Sequence, residues 1–177
     1  MAALARSVHD LTAAAWFGGS LMGAVGVNGA AAAAKDPAER TRLSALGWKK
    51  WAPVQAAAIG LHFFAGLALI GDNKGRVAQQ SGVGRLTVYK AGVTVVAAAA
   101  TLYSGILGGK VEKLSEQGAQ GATEPQPGAS DELKAAQRQL KILQWCVPVL
   151  SGTVIVMGAQ HGEMQRPLNV YKGLKAK

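Results

Sequence analysis

The chain has 177 residues, of which 49% are hydrophobic and only 16% charged, and its formal net charge is +9 at pH 7. Its single cysteine, Cys146, excludes a disulfide or a cysteine-cluster metal site within these residues. The basic residues are spread over every loop and tail instead of forming one stripe, which argues against nucleic-acid binding. Membrane lipids with anionic headgroups are the simpler partner for this charge.

Four long stretches contain no Asp, Glu, Lys or Arg: residues 11–34, 51–71, 91–109 and 142–162. Each comes close to the roughly 20 apolar residues that a helix needs to cross a bilayer. A soluble helical bundle with the same mean hydropathy of +0.15 would repeat charges along one face every 3.6 residues, and these stretches show no such face. The pattern predicts an all-α integral membrane protein, a single-domain four-helix bundle with up-down topology.

The first stretch has an alternative interpretation as a secretory signal, because a short region ending at Arg6 precedes it and small residues end it. It is too long for the apolar part of a signal, and glycines interrupt it. We therefore expect it to remain as a transmembrane helix.

The connections carry their own signals. Asp36, Pro37 and Glu39 are typical of a helix start, with Glu39 reaching back to the cap, and predict a short interfacial helix that ends near Trp48 and Trp51. Residues 110–130 contain glycines and two prolines and are predicted to be a flexible loop. Ser130 is expected to cap a helix that continues into the fourth span, and residues 166–177 form a polar basic tail.

Small residues recur four apart in every span, and such spacing lets helices approach closely in lipid. The glycines assigned to helix packing are Gly19, Gly23, Gly60, Gly66, Gly105 and Gly158. A bundle cannot turn every small face inward. One of these faces is therefore also a candidate contact with another membrane protein subunit.

His62 lies near the middle of the second span, where polar groups are costly and often functional. Matching depths across the spans places the hydroxyls of Thr101, Ser151 and Thr153 near it, and any of them would satisfy the imidazole. The alternative is a cofactor site, with His62 and Met22 as axial ligands of haem b and small residues around His62 leaving room for the ring.

A second group of polar residues lies where the first helix begins and the fourth ends. His9, Asp10, His161 and Glu163 are expected at one depth near the membrane surface, and imidazoles with carboxylates could bind copper, zinc or another divalent ion. No nucleophile with its base, phosphate loop or pair of intramembrane carboxylates is present in the sequence. We therefore expect no enzymatic activity and no catalytic residues.

The stretch from His9 to Gly19, HDLTAAAWFGG, has a histidine followed by an apolar run and a Trp-Phe-Gly-Gly turn. It resembles the opening helix of small bacterial multi-helix membrane families such as the copper-resistance D type. The resemblance covers about a dozen residues, and it implies copper handling with His9 as a ligand. The four methionines form no cluster and there is no second cysteine, which departs from a copper protein.

These observations favour a small polytopic protein of the bacterial inner membrane, without enzymatic activity, that acts as an accessory or structural partner in a larger membrane assembly. We expect no bound cofactor. The alternative is a haem b protein using His62 or a copper protein using His9 and His161. A small transporter is a third class, supported only by the glycine-rich helices.

Four spans place both termini on one side of the membrane. Of the 19 Lys and Arg residues, nine lie on that side and ten on the other, so the positive-inside rule does not decide the orientation. The lysines of the tail favour a cytoplasmic location for both termini. We predict that reporter fusions at Met1 and Lys177 give the same signal, because an even number of crossings returns the chain to its starting side. Opposite signals would mean three or five crossings, or removal of the first helix.

Overall fold

The computed structural model describes residues 2–176, and these residues form helices joined by short connections, without a β-strand. One isolated bridge pairs Ala119 with Pro125. The elements in chain order are α1 (Ala2–Met22), a π-helical turn (Gly23–Val27), α2 (Asn28–Ala32), α3 (Pro37–Asp72), α4 (Lys74–Gln79), α5 (Val83–Lys113), a 3-10 turn (Ser115–Gln117), α6 (Asp131–Glu163) and α7 (Pro167–Lys175). The prediction of an all-α chain is confirmed.

Two predicted helix starts are correct in position. The carboxylate of Asp36 accepts from the backbone N–H of Ala38 at 2.9 Å, with Pro37 as the first helical residue. The hydroxyl of Ser130 accepts from the N–H of Leu133 at 3.3 Å and opens α6, which continues through the fourth predicted span. Glu39 does not reach back to the cap, because its carboxylate binds the guanidinium of Arg42 at 2.6 Å instead.

The short interfacial helix is not a separate element. Its residues are the first turns of α3, which runs for 36 residues and passes through Pro53 into the second predicted span. Trp48 and Trp51, expected to lie among lipid headgroups, contact glycines of the first helix instead. The chain therefore remains helical where the sequence predicted a boundary between the interfacial helix and the second span.

The segment predicted as a flexible loop makes specific contacts. Residues 110–113 belong to α5, and the following loop packs on the start of α3, where Arg40 donates to the carbonyls of Ala119 and Gln120 at 3.3 and 3.1 Å. The hydroxyl of Thr41 donates to the carbonyl of Ser115 at 3.0 Å. The basic tail likewise contains a helix, α7, and the carbonyl of Gly173 accepts from the N–H of Ser81 at 3.0 Å.

The four long helical segments contact one another around a small core. Helix α1 packs against α3 and α6, and α5 packs against α6 and α3. At the centre, Trp16 is fully buried against Ala97 and Val147, and its indole N–H donates to the hydroxyl of Thr101 at 3.1 Å. A second cluster joins α5 and α6 under the loop, around Leu107 and Leu133.

Within residues 2–176, three helices are long and apolar enough to cross a membrane: Pro37–Asp72, Val83–Lys113 and Asp131–Glu163. Only 22%, 17% and 22% of their most apolar windows are buried inside the molecule, so most of that apolar surface faces outward. Large side chains such as Phe64, Leu102 and Val149 are among those exposed. A soluble bundle would place such residues in its core, and the outward arrangement is that of a membrane protein.

Helix α1 is not among these three. It carries Arg6, His9 and Asp10 in its first half, which lowers its hydropathy, and the π-helical turn interrupts its α-helical run before α2. The turn adds a residue to one helical cycle and shifts the face presented by α2 relative to α1.

The packing glycines divide into three groups of two. A Cβ at Gly19 would collide with the indole of Trp51, and one at Gly23 would collide with the indole of Trp48, so these two glycines form a notch filled by tryptophans of α3. Gly66 and Gly158 lie close to other side chains, with an added Cβ 3.7 Å from His9 Cδ2 and 3.3 Å from Lys90 Nζ respectively. Gly60 and Gly105 have nothing within 4 Å of an added Cβ, so they do not mediate packing within the chain.

We predict that Gly19→Leu destabilises the folded protein by about 1–3 kcal/mol or more, because the new side chain must displace the indole of Trp51. Gly105→Leu is the matched control, since it adds the same side chain at an open position of a long helix and should change stability by less than about 0.5 kcal/mol. Unfolding midpoints of the two variants in detergent measure the difference. Equal midpoints for both variants would show that the glycine notch is not a packing contact.

Candidate functional site

The three histidines of the chain meet at one cavity. It has a volume of about 190 Å³ and lies at the end of the molecule where α1 and α5 begin and α3 and α6 end. Polar groups from five helices line it, and apolar side chains of α3 complete the wall. The polar and charged side chains are Arg6, His9, Asp10, His62, Asn73, Arg76, Thr87, Lys90, Thr94, His161 and Gln165.

His9 and His62 form a stacked pair between α1 and α3. Their ring centroids are 4.0 Å apart with an interplanar angle of 29°, and the edge of Trp16 approaches His62 at 6.3 Å. The Nδ1 of His62 lies 3.1 Å from the backbone carbonyl oxygen of His9, which only accepts, so Nδ1 carries the proton and donates. The neutral ring of His62 then presents Nε2 as an acceptor.

That acceptor is unused. The Nε2 of His62 has no hydrogen-bond partner among the described residues, although the residue is only 3% exposed. Among the described residues, three unpartnered polar side-chain atoms are sealed from solvent, and Nε2 of His62 is not one of them. This atom therefore borders open space. Because the ring lines the cavity, we infer that Nε2 faces it. A buried polar atom left open in this way is available to a ligand or to water.

His9 connects the cavity to two charged groups. Its Nε2 lies 3.3 Å from the Lys90 ammonium, and its Nδ1 lies 3.0 Å from the Asp10 carboxylate. An ammonium only donates and an ionised carboxylate only accepts, so the neutral ring with its proton on Nδ1 satisfies both contacts.

His161 binds to α5 instead of to the other histidines. Its Nε2 lies 3.3 Å from the hydroxyl of Thr87, which itself donates to the carbonyl of Val83 at 2.9 Å. Since the hydroxyl proton is used, Nε2–H of His161 is the donor. This bond holds α6 against the start of α5, and the imidazole of His161 lines the same cavity as His62.

The expected partners of His62 are wrong. Thr101 accepts from Trp16, and the hydroxyls of Ser151 and Thr153 donate to carbonyls of their own helix at 2.8 Å. Met22 is 64% exposed and lines a separate cavity beside Trp48, so it does not oppose His62 as a second axial ligand. The partner of His62 is the backbone of His9, which lies just outside the first predicted span, so side chains at matching depth within the spans did not include it.

The four predicted metal ligands are not assembled as a set. Among residues 2–176, no three or more His, Cys, Asp or Glu side chains are grouped closely enough to hold a metal ion. His9 and Asp10 contact each other and His161 shares their cavity, but Glu163 pairs with Arg166 at 2.9 Å. The cavity instead gathers cations that the sequence analysis treated only as topological signals.

A polar network near the opposite ends of the helices was missed. Asn28 is buried beside the π-helical turn, where its carbonyl oxygen accepts from Ser44 at 2.8 Å and from Trp48 at 2.9 Å. Its amide donates to Gln144 at 2.8 Å, so it joins the first helix to α3 and α6. The sequence signal was an uncharged amide inside an otherwise apolar span. Its oxygen is fully engaged, which indicates a structural role.

Comparison with protein-family models, with curated proteins and with solved structures finds no match.

We predict that His62→Gln remains folded and loses clearly less stability than Trp16→Ala. Gln retains a donor for the His9 carbonyl, and hydrogen bonds between membrane helices contribute only about 0.6 kcal/mol on average. Removing the fully buried indole leaves a cavity, which costs about 3–5 kcal/mol in protein cores. Unfolding midpoints in detergent measure both variants. A loss for His62→Gln as large as that for Trp16→Ala would show that His62 is a core structural residue and not an open site.

Proposed function

We propose that the chain is a multi-pass protein of the bacterial inner membrane that binds a small ligand, without enzymatic activity, as an accessory subunit of a larger membrane assembly. The observation that carries this proposal is the cavity, which combines an unused imidazole nitrogen on His62 with several charged side chains. Small-ligand sites are typically concave, mostly apolar and supplied with a few convergent polar groups. This cavity has that composition.

The proposed membrane arrangement has four spans in an up-down bundle. The first consists of α1, the π-helical turn and α2, and it is supported by the packing of α1 between α3 and α6. Both termini then lie at the end of the bundle that holds the cavity. We place this end in the cytoplasm, because of the lysines in the tail, with lipids around the outward apolar faces.

Two glycines that face away from the core support the proposed association with other subunits. Gly60 and Gly105 make no contact within the chain, and each lies on a helix whose apolar face points away from the core. Close approach of backbones is one of the main sources of helix association in lipid. These positions are therefore where a partner helix would be expected to contact the chain.

Copper binding is the second candidate, favoured by the stacked imidazoles of His9 and His62. A copper ion on His9 would have to displace the Lys90 ammonium from Nε2 and would sit beside a positive charge. Haem b is less well supported, because Met22, the expected second axial ligand, lines a separate cavity from His62.

We predict that a membrane-impermeant maleimide labels the Thr94→Cys variant and not the Val95→Cys variant, each made with Cys146→Ala. Thr94 lines the cavity, whereas the neighbouring Val95 is exposed on the outer face of the same helix and would lie in lipid. Labelling should occur in inverted vesicles and not in intact cells, because the cavity opens toward the cytoplasm. Labelling of both variants would contradict the membrane span, and labelling of neither would contradict a water-accessible cavity.

A further inference from the structure

The cavity carries an excess of positive charge. Arg6, Arg76 and Lys90 line it, and among the described residues Asp10 is the only lining residue with a carboxylate. The three cations come from three different helices, so the excess is a product of the fold and not of a basic run in the sequence. A site of this sign repels metal cations and attracts anions.

None of these three cations has a carboxylate partner. The ion pairs among residues 2–176 include neither Arg6, Arg76 nor Lys90, and the carboxylate of Asp10 contacts His9 instead. Arg76 donates only to neutral oxygens, among them the carbonyl of Met164 at 3.0 Å. The one polar side-chain contact of Lys90 is the ring nitrogen of His9. Asp10 attracts Lys90 without forming an ion pair with it, so the three cations share one nearby carboxylate and keep an excess of positive charge.

The cations are close enough to repel one another. Burial, and after it the repulsion from Arg6, lowers the pKa of Arg76. Arg6 also repels Lys90, although the attraction between Lys90 and Asp10 is larger than this repulsion. Gathering like charges in a partly buried space destabilises the empty site. An anion in the cavity would remove the repulsion and would be bound more tightly for that reason.

The other features of the cavity specify the anion further. Guanidinium groups match the oxygens of phosphate in a bidentate fork, and an ammonium adds a point charge. The unused Nε2 of His62 is an acceptor for a P–OH group or for water. A volume of 190 Å³ holds about six waters at about 30 Å³ each, enough for one phosphate group with a small substituent.

We propose that this cavity binds a phosphate group through Arg6, Arg76 and Lys90. This inference deepens the proposed function and rests on its claim that the cavity is a ligand site. The phosphate belongs either to a small soluble molecule or to the headgroup of an anionic lipid, because the cavity lies near the ends of the helices and has the apolar side chains of Phe63, Leu67 and Ile70 in its wall.

The test measures thermal unfolding of the purified full chain in a non-ionic detergent during titration with inorganic phosphate, against sodium chloride at equal ionic strength. The lipid arm uses vesicles of phosphatidylcholine with and without phosphatidylglycerol. The variants are Arg6→Gln and Lys90→Gln. Arg85→Gln is the matched control, because Arg85 is an exposed cation on the same helix as Lys90 and does not line the cavity.

We expect phosphate or phosphatidylglycerol to raise the unfolding midpoint of the parent and of Arg85→Gln, with apparent affinity weakened about tenfold or more in the two cavity variants. A response to inorganic phosphate identifies a soluble ligand, and a response only to phosphatidylglycerol identifies a lipid. Arg6→Gln decides the matter if Lys90→Gln does not fold, since Arg6 makes no hydrogen bond or ion pair with the described residues.

Two outcomes would overturn the proposal: no rise from either phosphate source, or an equal rise in the parent, the cavity variants and the control. Such a result leaves the proposed function intact if the Thr94→Cys variant is still labelled selectively. If that labelling is also absent, the cavity is not a ligand site and both proposals fail.

Discussion

Two tryptophans of α3 pack into the notch formed by Gly19 and Gly23, and this contact determines where the first helix lies. Trp48 and Trp51 occupy the space that side chains at Gly23 and Gly19 would take. Trp16, fully buried one turn before the notch, then packs against α5 and α6 and donates to Thr101. With α1 fixed along this line, its first turns bring His9 over the ring of His62. The candidate site therefore depends on an aromatic contact that lies outside it.

Buried polar groups are hydrogen-bonded differently at the two ends of the molecule. Beside the π-helical turn, Asn28 shares its oxygen between Ser44 and Trp48 and directs its amide to Gln144. That network orders three helices. At the other end, His62 uses one ring nitrogen for the backbone of His9 and leaves the second without a hydrogen-bond partner among the described residues. A saturated network stabilises structure, while an open acceptor beside cations retains binding capacity, so the ligand is expected at the second end.

The two ends of the molecule also differ in the ion pairing of their cations. Several cations at the loop end form ion pairs, as Lys49 pairs with Glu112 and Lys110 with Glu132, both at 2.9 Å. Around the cavity, Arg6, Arg76 and Lys90 form no ion pair among the described residues, and Asp10 is the one described carboxylate beside them, in a chain with a net charge of +9. The net charge therefore does not reveal that cations are grouped around the cavity, because this grouping depends on which charged side chains lie close together in the fold.

The sequence by itself determined the helical class, the starts of α3 and α6 and three of the long apolar helices. Helix capping at Asp36 and Ser130 is a local property, and so is the absence of charges over about 20 residues. Both can therefore be recognised from the order of residues alone. Only the tertiary structure decided that Gly19 faces an indole while Gly105 faces open space, and that His62 bonds to the backbone of His9. These facts depend on the rotation of each helix about its axis, which small residues on several faces leave undetermined until the helices pack.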